Sequence, residues 1–242
     1  MLARLDRKMR AFAAGIGLVF GALLRVDPAQ AEAPRPAVTA LAPRPSPIPL
    51  DLGLRVGASV RIGDAPNFPV KDRVGSTIGL SIFAAPTPRF SLGLVYEHTG
   101  LGSERGGERE LSRVDVSRSL DALIAGLRLH LWSDESLRVS ALIGPGLAWQ
   151  SASAAGLVSS GASVVGVRCA ATSGPDLVLR AGLGAEVALG SGVWLLADAT
   201  LDNARLGNGA VGECILGAGT ATLFAGRVGF AYRFDDVGRY FR

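Results

Sequence analysis

Nine charged side chains fall on one parity of the strand-like segments of this 242-residue chain. They are Arg55, Arg128, Arg138, Arg180, Arg227 and Arg233 against Glu97, Glu186 and Asp198. Isolated charges held inside a narrow wall must pair or find water. The expectation is therefore a network of ion pairs, with Arg55, Arg128, Arg138, Arg180, Glu186, Asp198 and Arg227 at its heart. Asp198 and Arg227 should meet near mid-depth on neighbouring strands, with Glu186 reaching the same layer. Two uses are open to such a network: a structural plug or a narrow polar conduit.

Other chemistry is sparse. The only histidines are His98 and His130, and neither has a nucleophile and a carboxylate at motif spacing. By parity His98 points outward or to a rim, and His130 lies near the turn end. Two Cys and two His make no metal-ligand cluster. Gly182 and Gly184 lack the strand–loop–helix context of a dinucleotide site. No catalytic residue, cofactor or metal is expected. Cys169 and Cys214 are an even pair, which in an exported chain reads as one disulfide, the rival being two buried thiols.

The elements that would position these groups are strands. In 222–234, Phe224, Val228, Phe230, Tyr232 and Phe234 share one parity, and Leu223, Ala225, Arg227, Gly229, Ala231 and Arg233 the other. Strands send successive side chains to opposite faces, so one face is aromatic and aliphatic and the other small or charged. The same alternation recurs over 52–62, 74–83, 89–98, 119–132, 137–149, 177–189 and 193–202. Strict period two over eight segments excludes a helical bundle. Short turns follow the second, fourth and sixth strands (Ala84–Pro88, Ser133–Ser136, Gly190–Gly192), and long loops follow the odd ones. That alternation belongs to a membrane barrel with short turns on one side, so an even strand count places both termini with the short turns, on the periplasmic side.

A soluble lipocalin-like barrel also alternates, but with its apolar side inward. Here the opposite face is Gly, Ala and Ser with scattered charges, which suits a narrow eight-stranded lumen rather than a water-facing surface. The expected fold class is all-β: an eight-stranded antiparallel transmembrane up-and-down barrel over 50–234. Aromatic girdles are expected from Phe83, Phe90, Trp132, Tyr232 and Phe234 at one rim and Tyr96, Trp149 and Phe224 at the other. The second long loop, Thr99–Arg118, carries Glu104, Arg105, Glu108, Arg109, Glu110, Arg113 and Asp115, and reads as a solvated loop near lipopolysaccharide.

Residues 1–31 read as a secretory signal: basic Arg4, Arg7, Lys8 and Arg10, an uncharged run Ala11–Leu24, and Ala29-Gln30-Ala31 before Glu32. The run is short of the roughly 20 residues of a spanning helix, the alternative reading. Six prolines in 34–49 predict an extended arm over 32–49. Removing the signal leaves 20 basic against 19 acidic residues, so the high pI implies no nucleic-acid partner.

The run Arg227-Val228-Gly229-Phe230-Ala231-Tyr232-Arg233-Phe234 resembles the β-signal of outer-membrane proteins, in which Gly229, Tyr232 and Phe234 take the pattern positions. Gly144-Pro145-Gly146 and Gly182-Leu183-Gly184-Ala185-Glu186 are also similar to the small OmpA/OmpX/OmpW-type barrel domain. The likeness covers about 50–234, and the chain continues past it as a short extension, Asp235–Arg242. It implies a Gram-negative outer-membrane location, surrounding outer-membrane lipid and lipopolysaccharide, and recognition of the last strand by the barrel-assembly machinery. The functions it leaves open are a structural or surface-interacting barrel, a narrow transport barrel for a small or apolar solute, and a membrane lipid hydrolase. The residues identify no ligand.

Overall fold

The computed structural model describes residues 48–63, 70–109, 112–160, 163–207, 209–212 and 214–234. The signal segment, nearly all of the proline-rich arm and the extension after Phe234 lie outside the described residues.

Every described element is a strand: β1 (Leu50–Ile62), β2 (Val70–Asp72), β3 (Val74–Thr87), β4 (Phe90–Arg109), β5 (Ser112–Ser133), β6 (Leu137–Ser160), β7 (Ser163–Gly190), β8 (Val193–Arg205), β9 (Ala210–Val211), β10 (Ile215–Leu216) and β11 (Thr220–Phe234). The eight long strands pair antiparallel with their chain neighbours, and β1 pairs with β11, so the sheet closes on itself. Closure leaves no strand edge within the wall. β2 adds to β4, and β9 with β10 forms a separate small hairpin.

The registers fix the stagger. Starting at Leu50 and crossing hydrogen-bonded partners, one meets Ala84, Leu92, Leu127, Ile143, Ala181, Leu201 and Phe224, and returns to β1 at Val60. One circuit thus advances ten residues along the strand, which for eight strands sets the tilt and the narrow bore.

The three expected turns join β3 to β4, β5 to β6 and β7 to β8. The last is as tight as it can be. Gly190, Ser191 and Gly192 all have positive φ (103°, 51° and 80°), and glycine is the residue that adopts this region freely. In the β5–β6 turn, Asp134 closes the bend. Its Oδ2 accepts from Trp132 Nε1 (3.1 Å), and its Oδ1 from the backbone amides of Leu137 (2.7 Å) and Ser136 (2.8 Å). These donors hold its carboxyl down to about 2, the Trp132 bond first.

At the other end the structure corrects the loop expectation. Much of Thr99–Arg118 is strand: β4 runs to Arg109 and β5 starts at Ser112. The connection after the fifth predicted strand is strand to Ser160 and again from Ser163. Register shifts between Gly100 and Ser103 and between Trp149 and Ser151 lie where these strands leave the closed wall. Bulges at a rim bend the strand and increase its twist. Beyond them β4, β5, β6 and β7 continue as an open, protruding sheet. Near the rim one face of this sheet is still buried (Leu101, Val116, Ala152 and Ala154), and the period-two signal fades at the tip, where Leu157, Val158, Val164 and Val165 are exposed on both faces. Cys169 sits on this protruding part of β7 and is disulfide-bonded to Cys214, with Cα atoms 5.4 Å apart.

Leu52, Leu54, Leu80, Leu94, Ile143, Leu183, Val228 and Phe230 project outward and exposed, and the interior holds charged and small residues together with larger apolar ones such as Val95, Ile124, Leu142 and Trp194. Tyr96, Trp132 and Tyr232 lie on the outer face as expected. Phe83 does not: it is 1% exposed inside the lumen, where the Arg128 guanidinium stacks 3.6 Å from its ring centre. The turn bulge between Ala84 and Thr87 follows directly after it. A lone aromatic on the inward parity of β3 is better used as a cation–π platform than as a girdle.

Candidate functional site: the charged lumen and the loop-end rim

Inward parity on a closed wall brings residues from distant positions into one column, and the column is layered. Nearest the turns, Arg233 clamps Asp51 through two 2.7 Å hydrogen bonds. Arg138 and Arg233 lie over the buried Trp194 ring at 4.2 and 5.1 Å. Next, Glu186 accepts from Arg128 (2.7 Å) and lies 4.0 Å from Arg138. Arg55 Nε is 3.0 Å from Asp198 Oδ2.

At mid-depth Arg227 is the hub. It lies across from Asp198 in register and donates to Asp198 (3.0 Å), Glu97 (2.6 Å) and Thr200 (2.8 Å). Arg180 donates to Glu97 (2.8 and 3.1 Å) and Asp202 (2.7 Å twice). Glu97 therefore serves two guanidiniums, as bidentate and charge-assisted bonds allow. Glu186 does not share this layer. β7 carries it closer to the turns, so its partners are Arg128 and Arg138.

At the loop end, Glu104 joins Arg61 (2.7 Å) and Arg118 (3.0 Å). Glu104 belongs to the segment expected to be a solvated loop, yet it is 1% exposed. The extension of β4 through the rim carries it into the lumen. Arg61, Arg118, Asp51 and Asp202 were not anticipated as network members. Arg61 and Asp202 lie near the loop ends of β1 and β8, and Arg118 lies within β5 just outside the predicted 119–132 segment. Glycine makes room at one point: a Cβ on Gly229, which faces Arg55 in register, would overlap the Leu54 carbonyl oxygen.

The column leaves little space. Between Arg55, Arg128, Glu186 and Asp198 lies a cavity of about 20 Å³, enough for roughly one water. The buried ion pairs lie beside a buried apolar cluster that includes Phe83, Val95, Leu120, Ile124, Leu142 and Leu223.

Outside, the rim has its own polar cluster. His98 is outward, as its parity requires, and its Nδ1 lies 2.9 Å from Asp121 Oδ1. Tyr96 OH donates to the same oxygen (2.9 Å). Cross-strand pairing of His98 with Asp121 supplies the carboxylate that sequence spacing could not. Trp149 stands opposite Asp121 on β6. His130 turns inward and meets Ser91 Oγ at 2.8 Å. Neither histidine makes a hydrogen bond to both a hydroxyl nucleophile and a carboxylate among the described residues. The same residues contain no group of three or more potential metal ligands.

No protein-family model matches the chain, and no curated protein matches it. Solved structures similar to it include Ail, the attachment invasion locus protein of Yersinia pestis (16% identity, 76% of this chain and 98% of that one, TM-score 0.39). Neisserial surface protein A is similar at 15% identity, over 77% of this chain and 96% of that one, with TM-score 0.43. A major outer membrane protein from Thermus thermophilus is similar at 11% identity, over 76% of this chain and 99% of that one, with TM-score 0.48. What this chain is similar to, in fold, is the small outer-membrane β-barrel.

Proposed function

We propose that this protein is an integral outer-membrane barrel whose lumen is closed by its charge network and whose work is done by the sheet that protrudes outside the cell. The observation that carries the reading is the inversion of the barrel. Its exposed outer face is a belt of Leu, Ile, Val, Phe and Tyr, while its buried inner face holds eight arginines (55, 61, 118, 128, 138, 180, 227 and 233) and six carboxylates (51, 97, 104, 186, 198 and 202). Water would reject that outer surface, and a bilayer requires it. On the outer face His98 pairs with Asp121, and Tyr96 and Trp149 accompany them. Such a cluster fits the level where lipid meets headgroups, including those of lipopolysaccharide.

In this reading both chain termini and the short turns face the periplasm, and the protruding sheet faces outward. Gly229, Tyr232 and Phe234 on β11 are the residues the barrel-assembly machinery would read. The packed column favours a surface-interacting role over passage of solute, because eight strands with filled layers leave no continuous bore. Labelling of Cys169 and Cys214 tests the sidedness. Both thiols should react with a membrane-impermeant maleimide in intact cells after reduction, and stay silent without reductant. Failure to label in reduced cells whose lysates label fully would overturn the proposed orientation.

A further inference from the structure

The loop-end layer of the lumen is a ring of hydrogen bonds with one gap. Arg118 Nε donates to Glu104 Oε2 (3.0 Å), and Arg61 Nη1 donates to Glu104 Oε1 (2.7 Å). Arg61 Nη2 then reaches the Ala218 carbonyl (3.3 Å), and the Ala218 amide donates to Gln150 Oε1 (3.2 Å). Gln150 stands next to Arg118. Both face inward on paired strands, Arg118 opposite Ala152 and Gln150 opposite Leu120, so they are diagonal neighbours. They cannot bond each other. The Ala218 amide fixes Oε1 as the acceptor, which leaves Gln150 Nε2 as a donor, and a guanidinium only donates. Arg118 Nη1, Arg118 Nη2 and Gln150 Nε2 have no hydrogen-bond partner among the described residues.

Neither side chain reaches bulk water, since Arg118 is 4% exposed and Gln150 1%. A buried donor without an acceptor is costly, and more so on a charged group. The charges point the same way. The layer holds two guanidiniums, Arg61 and Arg118, against the single carboxylate of Glu104. The layer beneath lends no charge, because its carboxylates Glu97, Asp198 and Asp202 are engaged by Arg55, Arg180 and Arg227. One positive charge is left uncompensated where the three unpartnered donors lie. The buried residues flanking them are small or apolar: Ala148, Ala152 and Ala154 on β6, Val116 and Leu120 on β5.

We infer that Arg118 and Gln150 hold a small monovalent anion of the halide class, buried at the loop end of the lumen. The ion balances the charge of Arg118 and accepts from its Nη groups and from Gln150 Nε2, which closes the ring. Water in the same place would meet the donors and leave the charge unbalanced, and an unbalanced buried charge is the costlier defect. The apolar flanks offer little to replace a hydration shell, so a weakly hydrated ion is favoured. With both side chains shielded, the occupant is a free ion and not a group carried on a lipid or a polypeptide. The site is independent of which way the barrel faces.

The test uses the purified barrel refolded in phosphatidylcholine vesicles with gluconate, too bulky for the site, as the only small anion. Bromide is the probe, exchanged for gluconate at constant ionic strength. A ligand bound only by the folded state shifts the unfolding equilibrium by about a hundredfold at a hundred times its Kd. Urea unfolding should show that gain, and it should saturate. Gln150→Glu is the decisive variant. Its carboxylate still accepts from the Ala218 amide and supplies the missing negative charge, so it should be at least as stable as the parent in gluconate and lose the response to bromide. Arg118→Met removes the surplus charge and should lose the response as well. In crystals of the parent grown with bromide, an anomalous peak should lie in contact with Arg118 Nη and Gln150 Nε2. A bromide effect that is absent, fails to saturate or persists in Gln150→Glu would overturn the inference. So would crystals of the parent with no bromide peak at that position, whatever the variants do.

Discussion

The barrel body and the protruding sheet are made of the same strands but held by opposite means. In the body, β4 to β7 are closed on both sides, their inner faces knit by ion pairs and their outer faces apolar. Above the rim the same four strands run out to a tip with both faces in solvent. There Arg105 pairs with the exposed Asp115 (2.8 Å), a contact of the kind that contributes little. The same chemistry inside, Arg227 with Glu97 at 2.6 Å and Arg180 with Asp202 at 2.7 Å, is shielded from water and highly coupled. The contrast teaches that the body is over-determined and the sheet is not. Substitutions should therefore separate into those that cost the fold and those that alter only what the surface meets.

The largest effect should come from Glu97→Ala. It strands Arg180 and Arg227 in the lumen with one carboxylate fewer, and breaking a buried pair costs roughly 3–5 kcal/mol. Urea unfolding of the barrel in lipid vesicles measures it. A loss under about 1 kcal/mol would mean that the network is solvated, and the contrast between body and sheet would collapse.

Next, the same change made in each region sharpens the comparison. Leu183→Arg puts a charge on the exposed apolar belt and should destabilise by about 2–4 kcal/mol if it lies near the bilayer middle. Val165→Arg, equally exposed but above the rim, should shift stability by no more than about 0.5 kcal/mol. Equal costs at both positions would argue that the outer face of the body does not meet lipid.

The smallest effect lies in the β5–β6 turn. Asp134 has its folded pKa depressed to about 2, below the unfolded value of about 3.9. The ionised form is the one favoured by folding. Its contribution is present above about pH 4 and is lost as pH falls toward 2. Asp134→Asn should lower stability slightly above about pH 4 and flatten the profile between pH 4 and 2, where variant and parent converge. A profile identical to the parent's between pH 4 and 2 would show that the turn carboxylate carries no linkage.

Within the wall, local chemistry was decisive. A period of two over ten or so residues can be satisfied only by a strand with two unlike faces, so the eight barrel strands, their turns and the inward parity of Arg55, Arg128, Arg180 and Arg227 were legible in the chain. The Cys169–Cys214 bridge was legible as an even cysteine pair in a chain read as exported. Pairing across the lumen was not legible. Which carboxylate meets which arginine depends on the ten-residue stagger, and a stagger is a property of the closed ring, not of any strand. That is why Glu186 joined Arg128 instead of Arg227, why Glu104 went from expected loop to core, and why His98 found Asp121 across a strand gap. The protruding sheet escaped for a related reason: at its tip, where Leu157, Val158, Val164 and Val165 are exposed on both faces, no alternation is imposed on the sequence, and only partner strands show that β4 to β7 continue beyond the rim. What the sequence determined by itself is each strand's two faces, because side-chain direction is local. What tertiary structure alone decided is depth, partner and edge, because those exist only once the ring has closed.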